Sequence, residues 1–64
     1  MTAFDHFQTA TCRIAEGDRA AAIRSLDAAI RDIDATGRDA FMRGDILVLR
    51  ATVDALRKQR EANQ

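Results

Sequence analysis

The sequence predicts an all-α domain of three helices, with the second and third folded into an antiparallel hairpin. Three observations carry this. Alanine supplies 13 of the 30 hydrophobic positions in a chain of 64 residues, and Ala is the strongest helix former. There is no Pro and there are only three Gly, so breaks in a helical pattern are few. Apolar residues recur at 3-4 spacing throughout, with no alternating strand pattern. Leu, Ile, Val and Phe make up 14 of the 64 residues, about 22%, and with zero net charge this excludes a disordered chain. One domain, residues 1–64, is the expectation at this length, with a core only marginally able to offset chain entropy.

The first helix is expected over Thr2–Ala15, with Phe4, Phe7, Thr11 and Ile14 on one stripe and Asp5, Gln8 and Cys12 opposite. Gly17-Asp18 then ends it and supplies the N-cap of the next. The second helix, Arg19–Thr36, carries an a/d seam of Ile23, Leu26, Ile30 and Ile33, widened by Ala22 and Ala29. Gly37 suits the left-handed position after it, and Asp39 is a candidate cap for the third helix. That helix, Ala40–Arg60, repeats the pattern with Ile46, Leu49, Val53 and Leu56. Gly44 leaves an alternative in which residues 37–44 form a loop and Asp45 is the cap.

Charge placement sets a register for the hairpin. Asp27 and Asp34 take the e positions of the second helix, and Arg43, Arg50 and Arg57 those of the third. Antiparallel pairing brings e against e, so Asp34 meets Arg43 and Asp27 meets Arg50, each seven residues on along one helix and seven back along the other. The same register stacks Ile23 on Leu56, Leu26 on Val53, Ile30 on Leu49 and Ile33 on Ile46. Exposed ion pairs add little stability, so these pairs act mainly on register.

The third helix has more apolar surface than this seam hides. Phe41, Leu47, Val48, Ala51 and Ala55 extend it around a second side, and a helix apolar on two sides is covered on two sides. Either the first helix, with Phe4, Phe7 and Ile14, covers it and completes a monomeric three-helix core, or it covers only part and a second copy or a larger protein covers the rest. The candidate interface is therefore Phe4, Phe7, Phe41, Leu47, Val48, Ala51 and Ala55, with a homodimer or a larger protein as the expected partner.

Chemistry is absent from the pattern. His6 has no converging ligand or general-base partner one turn away, there is one Cys and no Gly-rich phosphate loop. No catalytic, cofactor or metal site is expected, and the chain reads as not an enzyme. Cys12 reads as a small buried residue. Ten bases against ten acids give no electrostatic footprint for nucleic acid or an anionic membrane; Arg57, Lys58 and Arg60 complement a helix C-terminus. One Cys, no signal peptide and no long apolar run argue for a cytoplasmic protein.

The stretch Gly17-Asp18-Arg19-Ala20-Ala21-Ala22-Ile23-Arg24-Ser25-Leu26-Asp27-Ala28-Ala29-Ile30 resembles the second half of a tetratricopeptide (TPR) repeat, with Ala22, Ile23, Leu26, Ala29 and Ile30 in the places of that family's small and aliphatic residues. Phe7, Ala10, Thr11 and Ile14 follow the first-helix order if the turn is one residue short. Asp34 stands where the repeat usually closes on Pro, and no second repeat begins about 34 residues on. The resemblance implies a TPR-like helix pair with the third helix as a cap, and a peptide- or protein-binding adaptor. The alternative function is a small phage-, plasmid- or host-encoded regulator that inhibits a macromolecular machine or binds RNA as a helical dimer.

Overall fold

The N-terminus begins with a reciprocal cap. Thr2 has extended backbone, its hydroxyl accepts the Asp5 N–H at 3.2 Å, and Asp5 Oδ2 accepts the Thr2 N–H at 3.0 Å. Two amides that a helix start leaves without partners are satisfied this way. In the computed structural model, which describes residues 1–62 and their side chains through residue 60, helix α1 (Ala3–Ala15) follows directly. It ends in a Schellman turn: Gly17 is left-handed at φ 83°, its N–H donates to the Ile14 carbonyl, and the Asp18 N–H reaches the Arg13 carbonyl at 2.8 Å. Asp18 then caps helix α2 (Arg19–Thr36), its carboxylate accepting the Ala21 N–H at 3.1 Å. The expected bounds of α2 and both cap positions are those observed.

Gly37, at φ 73°, closes α2 by donating to the Ile33 carbonyl at 2.7 Å. Asp39 is also left-handed, at φ 59°, and its side chain makes no capping hydrogen bond. It turns the chain with its backbone, so its expected role as a side-chain cap is corrected. A single 3-10 turn (Ala40–Met42) leads into helix α3 (Arg43–Ala62). The expected start of the third helix, Ala40, opens this tightened turn; the α-helix itself begins at Arg43, and Gly44 lies in its first turn rather than in a loop.

Helix α2 is the central element. Helix α1 packs on one side of it and α3 on the other, while α1 and α3 share no packing of comparable extent. The expectation that the first helix covers the second apolar side of the third is therefore corrected: α1 spends its apolar stripe on α2. The core consists of Ala3 and Ala10 from α1, Ala22, Ile23, Leu26, Ala29 and Ile33 from α2, and Ile46 and Val53 from α3. Leu26 and Ile46 are the largest side chains in it that are fully enclosed. Phe7, Ile14, Ile30, Met42 and Leu49 pack around this nucleus half-buried. The α1 stripe is consequently Ala3-Phe7-Ala10-Ile14, and Phe4 and Thr11, expected on it, are exposed.

The α2–α3 register is the one the charges require. Arg43 Nε meets Asp34 Oδ1 at 3.0 Å, and Arg50 Nε meets Asp27 Oδ1 at 2.6 Å. At the open end of the hairpin the last layer does not close. Leu56, expected against Ile23, is 42% exposed, and Arg19 reaches across to donate to the Leu56 carbonyl at 3.4 Å.

Candidate functional site

The outer face of α3 and the turn before it hold the exposed apolar side chains. In a 3-10 turn successive side chains point about 120° apart. Met42 takes the inward direction and packs on the core, so Phe41 projects outward and is 84% exposed. Within α3, Ile46 and Val53 face α2 and are buried. Residues offset from them by two positions lie about 160° around a helix of 100° per residue, and Val48, Ala51 and Ala55 accordingly face away. Val48 is 68% exposed and Leu47, at the edge of this face, 40%.

Of the residues singled out from the sequence, the structure gathers Phe41, Leu47, Val48, Ala51 and Ala55 on this one segment. Phe4 is half-exposed on α1, a different helix. Phe7 is packed half-buried against the core, because the close approach of α1 to α2 draws it in beside Ala3 and Ala10. Two further residues belong to the face. Gly44 is exposed, with no atom within 4 Å of where a Cβ would stand. Thr52 is exposed, with its hydroxyl turned back onto the Val48 carbonyl at 2.9 Å. The signal for Gly44 is the spacing 41-44-48-51-55, alternating three and four residues, which Gly44 obscures when it is read only as a break; Thr52 lies one turn on from Val48.

The charges of α3 engage other groups of the chain. Arg43 and Arg50 bind the carboxylates of α2. Asp54 accepts Lys58 Nζ at 3.1 Å and Arg57 at 3.4 Å. The Lys58 hydrogen bond is the main cause that holds the Asp54 carboxyl below its ordinary value, and the hydrogen bond to Asp27 is the main cause that raises the Arg50 guanidinium. The centre of the outer face is left to apolar and small residues.

Elsewhere among the described residues Met1, Phe4 and Leu56 are also exposed. An open depression on the outer side of α1 is lined by Met1, Asp5, Gln8, Thr9, Cys12 and Glu16, among others. Cys12 is exposed there, which corrects the expectation of a buried residue: Ala10, not Cys12, occupies the inward position. His6 is half-buried on the same helix. Among the described residues no group of three or more His, Cys, Asp or Glu is placed to hold a metal ion, and no helix is long and apolar enough to cross a membrane. No protein-family model matches the chain, and no curated protein or solved structure matches it significantly.

Proposed function

We propose that this chain is a non-enzymatic helical protein–protein interaction module that meets its partner along the outer face of α3 and the turn carrying Phe41. The observation behind this is the outward placement of Phe41 and Val48 in a chain with so few large side chains enclosed. A small domain that leaves an aromatic side chain 84% exposed gains by covering it, and a contiguous exposed apolar patch of a few hundred Å² commonly marks such a surface. The α1–α2 pair fits a TPR-like adaptor in one respect: Ala10, Ala22 and Ala29 are all fully enclosed where the two helices approach. The partner on this reading is a protein, whether a second copy or a larger chain.

Two substitutions test it. Leu26→Asp puts an unpaired charge into the enclosed core and unfolds the domain. Val48→Asp leaves helicity intact and abolishes association, measured as mass in solution and as retention of the chain's partner from native lysate. Unfolding by Val48→Asp, or a wild-type chain that associates with nothing in either measurement, overturns the reading.

A further inference from the structure

We infer that the occupant of the α3 face is a second copy of this chain, laid antiparallel along α3 with Val48 beside the partner's Ala51. The inference rests on the interaction-module reading and adds the identity, direction and register of the partner. Phe41, Gly44, Val48, Ala51 and Ala55 alternate three and four residues, continued by Lys58, which is the spacing of a helix–helix seam. It is a second seam, on the side of α3 turned away from the buried Ile46 and Val53.

Read against itself in reverse, this seam places large beside small in each layer. Val48 meets the partner's Ala51, Gly44 meets the partner's Ala55, and Phe41 lies along the aliphatic stem of the partner's Lys58, whose ammonium is held by Asp54 of its own helix. A parallel pair instead sets Phe41 on Phe41, leaves a gap between two glycines, and brings two Lys58 ammonium groups together. The antiparallel choice also opposes the two helix dipoles.

The area is sufficient for an exchanging dimer. At the observed exposures Phe41, Val48 and Leu47, with Ala51, Ala55 and the Lys58 stem, offer roughly 500 Å² per protomer, on the order of 1,000 Å² in the pair, the lower bound for a specific interface. Gly44 and the two alanines let the backbones approach closely. An interface at this lower bound belongs with the weak, exchanging ones.

Sedimentation velocity from about 1 µM to about 500 µM, a range that brackets micromolar affinity, reads the mass. The expected result is a monomer at the low end and a dimer at the high end, with Val48→Asp raising the dissociation constant at least tenfold at unchanged circular dichroism. Orientation is read by oxidation in a Cys12→Ser background. An equimolar mixture of Gly44→Cys and Ala55→Cys chains forms a mixed disulfide, whereas Ala55→Cys alone does not, because the two copies of residue 55 then lie about 16 Å apart along the axis. A monomer at every concentration, a dimer indifferent to Val48→Asp, or a 55–55 cross-link overturns the inference. If the chain stays monomeric yet retains a different protein in a Val48-dependent way, the second copy is refuted and the interaction-module reading stands. If Val48→Asp unfolds the chain, both fall.

Discussion

Leu26→Ala is the sharpest test of the packing. Leu26 is fully enclosed at the middle of α2, the helix that both others pack against. Its neighbours one turn away on the same face, Ala22 and Ala29, are themselves fully buried, and neither they nor Ala10 has atoms to move into the space a truncated Leu26 leaves. A site that cannot collapse keeps its cavity, and such Leu→Ala changes cost about 3 kcal/mol or more. Against a total stability of roughly 3–10 kcal/mol for a chain of this length, that removes a third or more of it. The melting temperature then falls by about 12–24 °C for a domain this small. Urea and thermal denaturation followed by far-ultraviolet circular dichroism read it, at one low protein concentration so that association does not add to stability. Leu47→Ala is the control, since Leu47 is 40% exposed, and its cost stays under about 1 kcal/mol. If Leu26→Ala costs no more than Leu47→Ala, Leu26 does not occupy the centre of the core and the three-helix packing described is wrong.

Two further outcomes follow from the backbone and from the first cap. Gly37→Ala forces a Cβ into the left-handed region at φ 73° and costs about 1 kcal/mol, whereas Gly44→Ala, in a helical turn with open space at its Cβ, gains up to about 1 kcal/mol; urea midpoints moving in the same direction for both refute the assigned backbone. Asp5 is held below its ordinary carboxylate value chiefly by the Thr2 N–H, then by the Thr2 hydroxyl. The folded state therefore binds this proton less readily than the unfolded chain. Its stabilising contribution is complete above the unfolded value of about 3.9 and is lost as pH falls through the lowered folded value. Asp5→Asn should flatten part of the acid unfolding curve below about pH 4, and an Asp5 carboxyl that titrates by nuclear magnetic resonance at or above the ordinary value refutes the cap.

The hairpin was legible because two independent patterns required one register: an a/d seam on each helix, and carboxylates and guanidiniums at matching e positions, now observed as Asp34–Arg43 and Asp27–Arg50. The first helix was misphased for a physical reason. Weighting residues by size points Phe4 and Thr11 inward. Where two helices approach closely the contact goes to the smallest side chains, so Ala3 and Ala10 take it and Phe4 is pushed outward. Leu56 was misplaced because a seam pattern does not tell where a helix pair stops closing; near the first turn of α2 the Arg19 side chain already lies across that end. Asp39 was read as a cap from its residue type alone, and a left-handed backbone is an alternative use of the same residue. The reciprocal Thr2–Asp5 cap was readable from its spacing, with Asp in the place usually held by Glu or Gln.

The strongest argument that the α3 face is there to be covered comes from α1. The two outer helices hold equivalent places, each packed on α2 and each open to water on its other side. Helix packing therefore asks the same of both: an apolar stripe inward and a polar surface outward. Helix α1 does so with Asp5, Gln8, Cys12 and Glu16 on its outer side, Phe4 being its one exposed large apolar side chain. Helix α3 does not; at the corresponding outward places it has Gly44, Val48, Ala51 and Ala55, continued by Phe41 on the turn before it. Helix propensity accounts for Ala51 and Ala55 but not for Gly44 and Val48, which are poorer choices there than Glu or Lys. Core packing does not account for them either, since Ile46 and Val53 already supply it from the opposite side. Among the described residues neither the core nor helix propensity calls for Phe41 and Val48 in those outward places, and a helix laid along that seam would cover both.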